Sequence, residues 1–322
     1  MAEFRGTDAG YEISVGVAGV GSSVDVASVV TATDAAASVS VSASESPRPY
    51  IHPLRSLAGR LVSDYRPSDH AWHWGLSIAV SNIEVPGQSQ PVNLWGGVTW
   101  QQELGYVQLE NNGAQRHDAF AIEEDSAGRA RALDDVTWLA NDGAPFLAEK
   151  RRTSATAIDT GSWRLDVESE WHNLASGPLR FGSPTTAGRP NAGYGGFFLR
   201  GATELLDARV LFDGHKISAD DAMGQRGDWV ALSQPTASVS VSSVSDSSAT
   251  ASVTVAMWAD PANPVGRAPW FVRTSPVVML CAAPFFHDEW ELAEGATATW
   301  RWSLLVADGE LDAASIADAL VR

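Results

Sequence analysis

A single cysteine, Cys281, rules out an internal disulfide. It ends the apolar run Val277-Val278-Met279-Leu280-Cys281, where a buried, inert thiol is expected rather than a nucleophile. Basic residues are few: 22 Lys and Arg against 39 Asp and Glu leave a formal charge of −17. That balance offers no basic footprint for nucleic acid and no attraction to an anionic membrane surface. A neutral or cationic ligand is the easier fit, and neutral sugars are the obvious neutral class. No basic stretch followed by an apolar one opens the chain, and no apolar window reaches the length of a membrane span. A cytoplasmic protein without a membrane partner is therefore expected. Gly193-Tyr194-Gly195-Gly196 lacks the Lys-Ser/Thr of a phosphate loop, and there is neither a Gly-x-Ser-x-Gly elbow nor a helical His-Glu-x-x-His. No cofactor is expected, and no metal.

What the sequence does contain is period-two alternation of apolar and polar residues, the pattern of half-buried strands. It runs through residues 11–18, 24–33 and 38–42, and returns at 238–242. Further strands are expected at 59–65, 76–82, 106–110, 117–124, 131–139, 146–156 and 163–171, then at 210–212, 229–232, 251–258, 277–281 and 297–307. Turn signals at Asn112-Gly113, Ser126-Ala127-Gly128 and Asn141-Asp142-Gly143 separate several of them. Residues 182–196 read as a long glycine-rich irregular stretch. Only the end reads as helix, 313–321, capped by Asp312 with Ile316 and Leu320 on one side. The fold class is all-β: a large two-sheet antiparallel β-sandwich with a short C-terminal helix, in a single domain spanning 1–322.

One stretch concentrates chemistry. Tyr65-Arg66-Pro67-Ser68-Asp69-His70-Ala71-Trp72-His73-Trp74-Gly75 holds two imidazoles, a carboxylate and two indoles in a loop shaped by Pro67 and Gly75. An imidazole can act as general acid or base, and a neighbouring carboxylate can fix its tautomer. His70 and His73 are thus the expected proton-transfer pair, oriented by Asp69. His117, Tyr194 and His287 are expected to complete the polar wall, while Arg55, His52, Trp72, Trp74 and Trp95 hold substrate. Thirteen tryptophans bear on the ligand, since flat indoles stack on sugar rings. Several, such as Trp163, Trp258 and Trp302, are expected to fill the core instead.

Four motifs carry a family resemblance: Arg48-Pro49-Tyr50-Ile51-His52-Pro53, residues 69–75, Asn93-Leu94-Trp95-Gly96-Gly97 and Gly193-Tyr194-Gly195-Gly196-Phe197-Phe198. With them the chain resembles bacterial proteins of unknown function labelled "PmoA family" or "methane oxygenase PmoA", over roughly residues 10–308. A methane monooxygenase subunit is a membrane protein, so that activity is not carried over. The wider arrangement is similar to the galactose-mutarotase supersandwich. Asn191 to Tyr194 stand where that fold carries its acid His, and Ala283 where its base Glu precedes proline. Mutarotation by that pair is therefore not implied. The expectation is an enzyme of the isomerase, lyase or hydrolase type that performs acid–base chemistry on a sugar or oxidised glycoside in an open cleft. The alternatives are a non-catalytic carbohydrate-binding or partner-binding sandwich and, third, metal chemistry on the histidines. The oligomeric state is not legible.

Overall fold

The computed structural model describes residues 2–16, 23–30, 42–124, 129–234 and 252–321. Two large antiparallel sheets form a sandwich. One has eight strands in the order Ala2–Thr7, Gly10–Gly16, Ser23–Val30, Tyr50–Leu54, Leu76–Ala79, Gly196–Arg200, Met279–Ala282 and Trp270–Arg273. The other has nine, and its long central strands Pro145–Ala157, Ser162–Asn173 and Thr297–Asp308 pair in continuous register. The core lies between the sheets, where alternation sends one side chain in two inward. Trp138, Trp163, Trp171, Trp300 and Trp302 are all buried there. Trp258 is the exception among the tryptophans expected in the core. It faces outward and packs, half-buried, against the cluster beneath the C-terminal helix Ala313–Val321. Asp312 caps that helix by accepting from the Ser315 amide at 2.8 Å, and Ile316 and Leu320 seal its buried side.

Several expected boundaries shift. Residues 59–65 form only isolated bridges (Arg55 to Leu61, Ser63 to Gly201, Tyr65 to Trp74), because this segment touches only the ends of neighbouring strands, Val62 donating to the Leu54 carbonyl and Asp64 to that of Arg200. The glycine-rich stretch ends in an interior strand, Gly196–Arg200, which pairs with Leu76–Ala79 on one side and Met279–Ala282 on the other. The alternating segments at 38–42 and 238–242 and the turn at 126–128 lie wholly or largely outside the described residues. Among the described residues no helix is long and apolar enough to cross a membrane.

The eight-stranded sheet positions everything that follows. Alternation puts Ile78, Phe197, Leu199, Leu280 and Val272 into the sandwich core. The intervening residues Ala79, Phe198, Cys281, Met279 and Phe271 face the other way and form a second apolar cluster with Trp95 and Phe286. Burial pushes the Cys281 thiol up to about 12, so it stays protonated and unreactive. Loops cover this second face, and the candidate site lies between them and the sheet.

Candidate functional site

The loop at 65–75 is a tight hairpin held by its own backbone. The Arg66 amide donates to the His73 carbonyl at 3.0 Å, His70 to Pro67 at 3.1 Å and His73 to His70 at 2.9 Å. The base of the loop is tied to the sheet: Gly75 donates to the Asp64 carbonyl, and Arg200 to the Gly75 carbonyl at 2.8 Å. Gly75 takes a φ of +47°, and a side chain there would meet the Ile51 carbonyl at 2.3 Å. From behind, Glu45 accepts both arms of the Arg66 guanidinium at 2.7 and 2.8 Å.

A second loop locks onto the first. Asn93 is fully buried, and its Oδ1 accepts from the Trp95 and Gly96 amides at 2.9 and 3.0 Å, which bends Asn93-Leu94-Trp95-Gly96-Gly97 around Trp72. At Gly97 an added Cβ would sit 2.4 Å from the Trp72 ring, so only glycine lets this backbone lie against the indole. Arg48 joins the two loops. Its buried guanidinium donates to the carbonyls of Trp72 (2.8 Å), Trp95 (3.2 Å) and Ser46 (3.0 Å).

Between these loops and the sheet lies a cavity of ≈ 400 Å³. That size lies within the usual range for small-molecule sites. Five of the eleven candidate residues named from the sequence line it: His70, Trp72, His73, Trp95 and Tyr194. His70 and His73 stack with ring centroids 4.6 Å apart and planes 12° from parallel. Trp95 and Phe198 present edges to the buried His73 at 5.3 and 5.1 Å. Tyr194 packs on Trp95 at 4.6 Å. Its phenol is pushed well above the usual value, chiefly by burial and then by Tyr106, so it remains a hydrogen-bond donor.

Asp69 sits behind His70, and its Oδ2 accepts from His70 Nδ1 at 2.6 Å. Arg200, missed in the sequence, completes the array. Its guanidinium donates to Asp69 at 3.0–3.2 Å and to His73 Nδ1 at 3.0 Å. Burial alone would raise the Asp69 pKa, but the hydrogen bond from His70 and the charge of Arg200 hold the carboxyl below its usual range, ionised at neutral pH.

These partners assign the protons. An ionised carboxylate only accepts, so neutral His70 carries its hydrogen on Nδ1 and presents a bare Nε2. A guanidinium only donates, so His73 Nδ1 must accept and its hydrogen lies on Nε2. The two stacked rings are therefore locked in opposite tautomers, one a base and the other a donor.

His73 is only 2% exposed, and its pKa lies well below the ordinary 6.5, first through burial and then through repulsion from neighbouring cationic groups, Arg200 and Arg48 among them. It stays neutral while an unfolded chain would take up a proton near pH 6.5. Its contribution to stability is thus complete above that pH and declines as pH falls below it. His52 and His117, also lowered mainly by burial, act in the same direction. Asp134, pushed up to about 7 mainly by burial, gains stability over the same fall in pH. The readout is therefore a difference: between pH 7.5 and pH 5.5 the urea midpoint of wild type should fall relative to that of His73→Gln. An equal change in the two proteins would show that His73 is not held neutral.

Five of the named residues do not reach the cavity, and their expected roles there are corrected. His117 lies on Ala114–Glu124, the outermost strand of the nine-stranded sheet, with Nδ1 3.7 Å from Asp134. His287 follows Phe286 outward and bonds the Gly224 carbonyl at 2.7 Å on an exposed surface. Arg55 caps a turn through the Gly59 carbonyl at 3.1 Å. His52 bonds Ser63 Oγ at 2.8 Å and stacks on Tyr65. Trp74 is buried behind the loop, its Nε1 donating to the Ala71 carbonyl at 3.0 Å. Among the described residues, no three His, Cys, Asp or Glu side chains are grouped to hold a metal ion.

Further lining residues carried no signal in the sequence reading: Tyr106, Arg189, Phe271, Arg273 and Met279. Phe271, Arg273 and Met279 follow from strand alternation once the neighbouring Trp270, Val272 and Leu280 are placed in the core. Arg189 and Tyr106 come from two loops distant in sequence, and no local pattern predicts that they meet.

A family model described as "DUF6807: Family of unknown function" matches residues 24–321, and that description carries no PmoA designation. No curated protein matches the chain. Among solved structures, one described as "Putative kojibiose phosphorylase from human microbiome" aligns at 12% identity and a TM-score of 0.28, over 65% of this chain and 24% of its own. The chain thus spans about a quarter of that structure's length.

Proposed function

The chain belongs to DUF6807, a family of unknown function, and for it we propose acid–base catalysis on a small saccharide or oxidised glycoside bound in the aromatic-walled cavity. One observation carries this: at the cavity wall Asp69 holds Nδ1 of one imidazole and Arg200 holds Nδ1 of its neighbour, which calls for opposite tautomers. His70 Nε2 takes a proton from a carbon or hydroxyl of the ligand, and Asp69 stabilises the imidazolium that forms. The neutral His73 Nε2–H donates to the oxygen on which negative charge develops. His73 does not relay a proton itself, since its buried ring is held neutral. Trp72 supplies an apolar face for a pyranose ring, backed by the buried Trp95, and Tyr194 a donor for its hydroxyls. This chemistry serves an epimerisation, an elimination or the hydrolysis of an oxidised sugar equally well. The sandwich of two antiparallel sheets accords with a mutarotase-like scaffold, but the acid–base pair lies on the 65–75 loop rather than at the positions used by that fold.

The test is turnover of a panel of pyranosides, uronates and 3-oxo-glycosides, followed by NMR, with wild type and His70→Gln. The His70 side chain is 40% exposed, so the variant should keep its fold. Loss of the base should slow turnover by about 10²–10⁴. Unchanged turnover in a folded His70→Gln would refute the assignment. The walls of Trp72, Trp95 and Phe271 also favour a second reading, a carbohydrate-binding site without catalysis. It would be marked by ligands that raise the melting temperature equally in both proteins and are never converted.

A further inference from the structure

Among the described residues, most guanidiniums at the surface are paired with carboxylates: Arg116 with Asp118, Arg152 with Glu168, Arg267 with Asp213 and Asp228. Arg189 and Arg273 are different. Both line the cavity, and among the described residues neither lies within salt-bridge distance of an acid. No lining residue is acidic. In a chain of formal charge −17, the one hollow that holds the imidazole pair is therefore locally cationic.

Both cations are oriented by their neighbours. Arg189 donates to the Tyr106 hydroxyl and lies over that ring at 4.6 Å, while Tyr106 and Tyr194 share a hydrogen bond of 2.9 Å. Arg273 rests over Phe271, 5.4 Å from the ring centroid, and Phe271 in turn meets Tyr194 edge-on at 5.7 Å. Aromatic stacking satisfies the faces of the guanidiniums and leaves N–H edges free. A planar fork of N–H groups matches the paired oxygens of a carboxylate or phosphate. Apolar walls strengthen such an attraction by lowering the local dielectric.

We infer that the ligand is an anionic sugar, a saccharide bearing a carboxylate or phosphate that Arg189 and Arg273 bind while the ring lies toward Trp72 and Trp95. This rests on the carbohydrate reading above and reverses the neutral-ligand expectation drawn from overall charge. Net charge describes the whole surface, whereas a ligand meets only the groups that line its cavity.

Thermal shifts at constant ionic strength test it, using D-glucose, D-glucuronate, glucose 6-phosphate and cyclohexanecarboxylate against wild type, Arg273→Gln and Arg189→Gln. Glucuronate or glucose 6-phosphate should raise the melting temperature more than glucose does, and the larger shift identifies the anionic group. At least one arginine variant should fold normally and lose that gain. If cyclohexanecarboxylate matches glucuronate and depends on the arginines, the anion site stands and the sugar reading falls. The inference is overturned if glucose matches or exceeds both anionic sugars, if their shifts survive in both variants, or if no probe shifts the wild type.

Discussion

Asp69→Asn should release His70 from its Nδ1–H tautomer and slow turnover by about 10²–10⁴, as expected when a general base is lost. The carboxylate now accepts from His70 Nδ1 through Oδ2 and from Arg200 through both oxygens. Asparagine has one acceptor oxygen and one NH2. Whichever way the amide turns, N–H meets N–H: at the guanidinium alone if the oxygen stays toward His70, at the guanidinium and His70 if it turns away. Neither arrangement restores the negative charge that holds the proton on Nδ1. The hydrogen then moves to Nε2, which occupies the base position with a donor. Long-range proton–nitrogen NMR reads this without any substrate: His70 should show a protonated Nδ1 in wild type and a protonated Nε2 in the variant. Because Asp69 is partly exposed, the fold should survive. Unaltered His70 nitrogen shifts together with unaltered turnover would show that the carboxylate plays no part in setting the tautomer.

The same array shows what the sequence could and could not convey. Alternation is enough to indicate two large sheets, because each strand must bury one face and the period is local, and the terminal helix is legible from the Asp312 cap and the i, i+4 spacing of Ile316 and Leu320. The 65–75 loop was legible because imidazole, carboxylate and indole are rarely crowded into so short a segment without chemistry. Arg200 is not legible from the sequence, although it ends the strand Gly196–Arg200, whose other residues belong to a recognisable motif. Its role depends on pairing with Leu76–Ala79, which brings the strand beside the loop, and on pointing to the same face as Phe198. His117 and His287 are turned elsewhere, the first by its place on an edge strand and the second by a surface loop that ties it to the Gly224 carbonyl. Arg189 and Arg273 escaped for the opposite reason: an isolated arginine in a loop or at a strand end reads as an ordinary surface charge until its neighbours are known.

Arg48→Met should destabilise the protein by roughly 4 kcal/mol or more, beyond the usual range for a point substitution. Arg48 is 2% exposed, and its guanidinium satisfies the carbonyls of Glu45, Ser46, Trp72 and Trp95 as well as Ser77 Oγ. Burial pulls its pKa down to about 9, which leaves it charged at neutral pH. Methionine fills similar space but donates nothing, and each buried carbonyl left without a partner costs roughly 1–3 kcal/mol. Arg48→Lys keeps the charge but not the geometry, since three donors on one nitrogen cannot reach carbonyls that diverge around a planar fork. It should therefore recover only part of the loss. Arg180→Met is the control: its ion pairs with Glu84 and Glu291 are half exposed. Removing such pairs should change stability by no more than about 1 kcal/mol. Urea midpoints of the three variants against wild type make the comparison. Arg48 also ties the Trp72 and Trp95 backbones together, so a ligand that binds wild type should bind Arg48→Lys more weakly even where the variant remains folded. Arg48→Met as stable as Arg180→Met would mean that the carbonyls find water, and that the two indole-bearing loops hold the cavity open without the guanidinium between them.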